Sequence, residues 1–338
     1  MTGLLVRDGG LLTTVQDLGR VGFQRFGVPV CGALDRDSHR LANALVGNPP
    51  GAAALEIRYL GPVLEALCPA RVALAGAEAR MILTRARETE TVPAGRTLRL
   101  EEGDRLAIGP LSGSVTATLA IAGGVQTAPV LGSAATFARS GFGGLDGRAL
   151  RAGDRIPVAL AEGPDLALAQ PMDLALPARI KVVLGPQDDH FTAEAVETLL
   201  SAPWTVTQQA DRMGLRLVGP VLAHRDGYNI TSDGIVTGAI QVPGNGLPIL
   251  LLADRQTSGG YPKIATVVTG DLAPLGRVAP GAVLRFAAVS PAEGAAHTRA
   301  RETALAQALA TITPPPREGL DLDALYAENL ITPPILPD

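Results

Sequence analysis

Between Ala253 and Thr266 the chain reads Ala-Asp-Arg-Gln-Thr-Ser-Gly-Gly-Tyr-Pro-Lys-Ile-Ala-Thr. Asp254 and Arg255 carry opposite charges, Gln256 an amide, Thr257 and Ser258 hydroxyls, Tyr261 a phenol and Lys263 an ammonium. Such a set can hold a small polar ligand by charge and by hydrogen bonds together. On either side stand apolar runs, Leu247–Ala253 and Ile264–Thr269, whose length and β-branched content predict buried strands. A plain hairpin needs only about two to five turn residues, so this connection carries more chemistry than turning requires. Binding groups gather on loops held between rigid strands, and the stretch is therefore a candidate site. Lys263 is one of two lysines in the chain, with Lys181; the other basic residues are arginines.

The elements that would position these groups are mainly β. Glycine (39) and proline (27) punctuate the 338 residues, and short apolar runs recur between them, at Ala70–Gly76, Arg105–Gly109, Ala117–Ala122 and Ile180–Gly185. That rhythm predicts strands with frequent turns. Three segments read as helices. Asp35–Val46 has Asp35 as an N-cap and Gly47 as its C′ residue. Ala193–Leu200 follows Thr192, and Ser290-Pro-Ala-Glu293 is a capping box with proline at the first helical position, opening a helix to about Thr311. An Ala/Leu/Pro-rich stretch, Leu160–Ala178, separates two halves. Gln16-Asp-Leu-Gly-Arg20-Val-Gly22 repeats the spacing of Gln208-Gln-Ala-Asp-Arg212-Met-Gly214, and Gly32-Ala-Leu-Asp35 echoes Gly238-Ala-Ile-Gln241. The two motifs stand 16 residues apart in one half and 30 in the other, which predicts a duplicated barrel with an insertion in the second copy. The expected organisation is residues 1–175, 176–289 and a helical tail at 290–338. Beyond Pro314-Pro-Pro316, Asp321–Asn329 reads as a short helix.

Composition excludes several function classes. A length of 338 residues suffices for a real core, and 46% hydrophobic with 18% charged residues is globular composition. The net charge of −4 is spread along the chain, and aromatics are only 3%. No basic block or stacking platform points to nucleic acid. No apolar run reaches bilayer length and the N-terminus carries no signal-peptide pattern. Cys31 and Cys68 cannot build a disulfide framework; two thiols in a chain of this size suit the cytosol, and a cytoplasmic protein is expected. They make no zinc site, and His39, His190, His224 and His297 lack metal-ligand spacing, so no metal is expected. A phosphate-binding P-loop and a nucleophile elbow are both missing. Gly141–Gly147 reads as a tight loop.

Taken in order, the motifs resemble one family. Thr13–Arg20, Gly27-Val-Pro29, Gly32–Asp35, Leu41-Ala-Asn43 and Gly47-Asn48 carry its N-terminal signature. Gly123-Gly124, Val130–Ser133, Gly141–Gly144, Gly185-Pro-Gln187, Asp211–Gly214, Ser232-Asp-Gly234, Gly238–Pro243, Asp254–Gln256 and Gly259–Lys263 continue it. The chain resembles the C subunit of the bacterial 5-oxoprolinase, also called KipA or allophanate hydrolase subunit 2 and homologous to half of a urea carboxylase carboxyltransferase domain. The resemblance runs over about residues 1–288, with Cys31 where serine is expected in many relatives.

This resemblance implies two tandem cyclophilin-like β-barrels and an obligate KipI-like partner, the B subunit of the complex. With a third subunit, A, the assembly opens 5-oxo-L-proline to L-glutamate at the expense of ATP. A related branch moves a carboxyl group from carboxybiotin to urea, which would require biotin on a separate carrier. A third branch, KipA-like, acts as a regulatory protein that binds a kinase inhibitor. Lactam, urea and ureido groups are all planar amides whose oxygen gains negative charge on activation, and fixed donors must stabilise it. A substrate carboxylate calls for an arginine. On this reading Arg255 or Arg20 clamps a carboxylate or phosphate and Lys263 neutralises developing charge. Tyr261 and Gln241 hydrogen-bond the amide beside Gln256, and Asp254 or Asp35 orients a base or donor. Other duties are open to the same residues: Asp35 as a helix cap, Arg20 and Arg212 as braces of turns, and Asp254 with Arg255 as an ion pair.

Overall fold

The computed structural model describes residues 3–159, 161–171 and 173–315. The chain is mainly β, as expected, with two barrel-like units in tandem, few helices and a long helix after the second unit. The helix expected over Asp321–Asn329 lies outside the described residues.

In the first unit two sheets face each other. One runs, in spatial order, through strands 155–156, 4–8, 63–66, 105–112, 78–85 and 88–92; the other through 12–16, 54–58, 116–121, 70–75 and 98–100. All these pairings are antiparallel. In the second sheet the two-residue period sorts side chains by size. Leu55, Ile57, Val72, Leu74, Leu119 and Ile121 fill the space between the sheets. Ala54, Ala73, Ala75 and Ala120 face outward and leave room for helix α1 (Arg36–Leu45), which lays Leu41, Ala42 and Leu45 on them. Each fully buried leucine there contributes roughly 2 kcal/mol. Asp35 starts α1 as expected, its Oδ1 accepting the Ser38 amide at 3.1 Å, and Gly47 follows its end at φ 77°.

The second unit is one eight-stranded sheet in the order 283–284, 204–210, 214–218, 249–251, 239–241, 263–267, 180–184, 286–288. Its two edge strands are separated in sequence by Arg285 alone. One pairs with Trp204–Thr205 and the other, in parallel, with Ile180–Val182. The sheet must therefore curl until its edges almost meet around Trp204, Phe191, Phe286, Val206 and Leu217. Helix α2 (Ala193–Ser201) is capped by Thr192, whose Oγ1 accepts the Ala195 amide at 3.2 Å.

The units interlock. Leu34 of the first packs in the core of the second. Helix α3 (Leu272–Gly276) presses back on the first unit, where a Cβ at Gly276 would lie 2.6 Å from the Leu34 carbonyl. Thr116 Oγ1 donates to Gly276 O at 2.6 Å, and Val115 N to Arg277 O at 3.0 Å. Helix α4 (Pro291–Ala310) starts at the expected capping box and touches both units. Its His297 bonds Asp271 at 2.7 Å on the second, while Glu302 meets Arg40 at 2.8 Å and Leu305 joins the core under α1 on the first.

Candidate functional site

The site is organised by three neighbouring strands. Ala239–Gln241 lies between Ile249–Leu251 and Lys263–Val267, with Gln241 opposite Ile249 on one side and Lys263 on the other. The pairing slips between Ile240 and Gln241, a bulge that re-aims the strand end. Leu252–Pro262 leaves the sheet and returns over that end, which puts its polar groups above Gln241. Gln256 Nε2 donates to Gln241 Oε1 at 3.0 Å, and Gln241 Nε2 donates to the Tyr261 carbonyl at 3.2 Å. These three predicted residues line one cleft of about 710 Å³, which Gln208, Gln209, Asp211, Met213 and Arg216 continue. Arg139 of the first unit closes one wall, so the cleft opens where the units meet.

Lys263 is the first residue of its strand and is buried, with 2% of its surface exposed. The position is more enclosed than a loop flank, because the chain from Tyr228 to Val236 crosses over it. Lys263 Nζ donates to Asp233 Oδ2 at 2.7 Å and to Gly234 O at 3.2 Å. Gln187 Nε2 also donates to Asp233 Oδ2, at 3.1 Å, and Gln187 Oε1 accepts the Lys263 amide at 3.1 Å. The hydrogen bond from Lys263, helped by the Gly234 amide and Gln187, holds the Asp233 carboxyl below its ordinary range.

The crossing segment is a strap with few anchors. Asp233 and Gly234 pair with Gly259 and Ser258, the Ile235 amide donates to Thr257 O at 3.0 Å, and Ile230 N donates to Gly260 O at 2.9 Å. Ile235 is its one fully buried side chain, packed with Ala239, Leu251 and Ile249. Gly259 lies directly beneath: a Cβ there would come 2.8 Å from Ile235 Cδ1 and 2.9 Å from Gln241 Nε2. The strap falls inside the insertion expected in the second half.

The predicted arginines and aspartates divide by location. Arg255 is buried under the strap and donates through Nη2 to Ile235 O at 3.1 Å. Arg20 is equally buried in the first unit, bonded to the carbonyls of Ala135 and Val130 and stacked 4.9 Å from the Phe142 ring. Asp254 pairs with Arg212, at 2.9 Å from both Nε and Nη2, and not with Arg255. Arg212 also bonds Glu56 and the Gly32 carbonyl, at 2.7 Å, on the first unit. Burial works against the Arg212 charge, but the Asp254 and Glu56 carboxylates outweigh it and raise its pKa. Asp35 lies away from the cleft, 2.9 Å from Arg277 Nε. Cys31 sits within the field of Asp254, Arg212 and Arg20, and burial, reinforced by Asp254, pushes its thiol up to about 12. A thiol so protonated is no nucleophile at neutral pH.

Sequence reasoning left Gln187, Asp233, Arg139 and Arg216 without a role. The first two lie in Gly185-Pro-Gln187 and Ser232-Asp-Gly234, motifs that are visible in the chain; nothing in the sequence singles out the two arginines. Among the described residues no cluster of His, Cys, Asp or Glu is arranged to hold a metal ion, and no helix is long and apolar enough to cross a membrane.

Residues 26–288 match the family described as the carboxyltransferase domain, subdomain A and B. The chain is 37% identical over 285 residues to the C subunit of 5-oxoprolinase from Escherichia coli (strain K12), spanning 84% of this chain and 90% of that one. Against the C subunit of the Haemophilus influenzae 5-oxoprolinase the identity is 34% over 297 residues, with 87% and 94% covered. Among solved structures, the Kluyveromyces lactis urea carboxylase superposes with a TM-score of 0.81 at 28% identity. That superposition covers 95% of this chain but 30% of the longer enzyme.

Proposed function

Given that the chain belongs to the carboxyltransferase family of subdomains A and B, we propose that it is the C subunit of an ATP-dependent 5-oxoprolinase. It would act with subunits of the A and B types on the lactam of 5-oxo-L-proline, and would be inactive alone. Two curated relatives that align over nearly their whole length are named as C subunits of 5-oxoprolinase. The observation that carries the reading is the convergence of Gln241, Gln256 and Tyr261 on one cleft, with Lys263 directly behind.

A lactam is a planar amide of low electrophilicity, and its oxygen must gain negative charge as ATP activates it. In this reading Gln241, Gln256 and Tyr261 bind and orient the amide. Lys263 sets a positive charge behind it, where burial strengthens its field. Asp254 and Asp35 act through others: Asp254 fixes Arg212 against Glu56, and Asp35 fixes Arg277, so both hold the units that form the cleft walls.

A second reading, carboxyl transfer from carboxybiotin to urea or a related amide, has support in the superposition on a urea carboxylase over 95% of the chain. Biotin would supply the carboxyl group from a separate carrier, and the Gln241 and Gln256 carboxamides, donors and acceptors alike, suit a ureido group as well as a lactam. Glutamate formation from 5-oxo-L-proline and ATP, with each subunit omitted in turn, separates the readings. Glutamate only from the three-subunit mixture supports the C-subunit reading. Glutamate from this chain alone removes the partner dependence, and none from a stable assembly favours carboxyl transfer.

A further inference from the structure

Four arginines lie around the junction of the units, Arg212 partly buried and Arg20, Arg255 and Arg277 almost wholly so, and they are not equally served: Arg277 has the Asp35 carboxylate. Arg212 has two carboxylates. Arg20 has two carbonyls and the Phe142 ring, with Nη1 alone unpartnered. Arg255 is 1% exposed and has one hydrogen bond, to Ile235 O; its Nε and Nη1 have no partner. Among the described residues it forms no ion pair. A guanidinium cannot shed its proton to escape burial, and an unpaired buried charge costs several kcal/mol. A negatively charged hydrogen-bond acceptor would relieve that cost.

The cover over Arg255 is its least-secured surrounding. From Arg225 to Val236 every residue is exposed except Ile230, which is half-buried, and Ile235. The Lys263–Asp233 pair latches the strap from below, and Asp233 itself is half exposed. Segments with few buried contacts open at low free energy. Lifting Ile235 would break the bond that its carbonyl accepts from Gln24 Nε2 at 3.3 Å, free that carbonyl from Arg255 and expose the Arg255 N–H groups beside Lys263. Two cations would then face the same opening, next to the cleft formed by Gln241, Gln256 and Tyr261.

We infer that Arg255, beneath the Tyr228–Val236 strap, is the binding site for a small carboxylate, admitted when the Lys263–Asp233 latch releases. This rests on the proposed function in that the carboxylate would be that of the substrate, which places the lactam ring toward Gln241. Arginine labelling tests it directly in the full chain, by phenylglyoxal and peptide mapping, with Arg20 as an internal reference. Asp233→Ala should raise the labelling rate of Arg255 roughly tenfold, through loss of the charge-assisted hydrogen bond that latches the strap. Arg20 should label as in the wild type. Acetate and 5-oxo-L-proline should suppress Arg255 labelling, and 2-pyrrolidinone, the same lactam without its carboxylate, should not. Asp233→Asn, which keeps the side-chain shape, serves if the alanine variant fails to fold. Suppression by acetate but not by 5-oxo-L-proline keeps the carboxylate site and counts against the substrate. Labelling that ignores both carboxylate and strap variants, or protection at Arg139 or Arg216 instead, overturns the inference.

Discussion

Arg277 Nε lies 2.9 Å from Asp35 Oδ2, and both side chains are almost wholly buried. The carboxylate that caps the first helix of one unit is thus neutralised by an arginine from the other, so the cap and the junction stand or fall together. Arg277→Met would leave Asp35 buried without its counter-charge, at a cost of about 3–5 kcal/mol. Denaturant unfolding should register that loss, and the double variant with Asp35→Asn should recover part of it. A loss below about 1 kcal/mol in the single variant would mean the pair does not hold the junction.

Lys263→Ala removes the ammonium and leaves Asp233, which is half exposed and can turn to water. Stability should therefore fall by about 1.5–3 kcal/mol, the worth of a hydrogen bond to a charged group. Turnover of the assembled complex should fall by about 10²–10³, the usual effect of deleting a donor to developing charge. Kinetics of the reconstituted complex together with a melting curve check both halves of this. A matched small loss in each would make Lys263 a structural anchor only.

Gly259→Ala would bring a methyl group against Ile235 and Gln241. Overpacking of this kind costs about 1–3 kcal/mol, and the strap is what can yield. Hydrogen exchange should accelerate at Gly234 and Ile235 while the strand Lys263–Val267 keeps its protection. Unchanged exchange across the strap would show that the segment is held by more than its contact with Gly259.

His39 is fully buried on α1, and Asn43 Nδ2 lies 3.1 Å from its Nε2. Burial pulls its pKa down to about 4, against about 6.5 in an unfolded chain. The unfolded state therefore takes up the proton first as pH falls. Stability is complete above about pH 6.5 and erodes toward pH 4 by roughly 3 kcal/mol. His39→Gln should flatten that acid limb in unfolding experiments at several pH values; a limb of unchanged slope would assign the acid sensitivity to other groups.

Local chemistry wrote much of the fold plainly. The caps at Asp35, Thr192 and Ser290 are side-chain signals read within four residues, and short apolar runs such as Ala117–Ala122 mark strands by local composition. The polar content of Ala253–Thr266 marked the loop over Gln241, but the pairing of its charges was not legible. Asp254 adjoins Arg255 in sequence and pairs instead with Arg212, because the strand hairpin carries Arg212 to the junction where Glu56 also points. Likewise the spacing of 30 residues announced an insertion, while its course over Lys263 depends on Asp233 and Ile235 finding long-range partners. Short-range rules carry no information about which distant atoms a chain brings together.

Helix α4 grips one unit through His297 and Asp271 and the other through Glu302, Arg40 and Leu305. It acts as a splint across a fracture line. A clamshell movement of the two units would have to shear its contacts along one side, as well as tear Leu34 from a foreign core. Ligand traffic into the cleft is thereby denied the hinge that many two-unit proteins use. Whatever breathing admits a ligand is left to the surface loops.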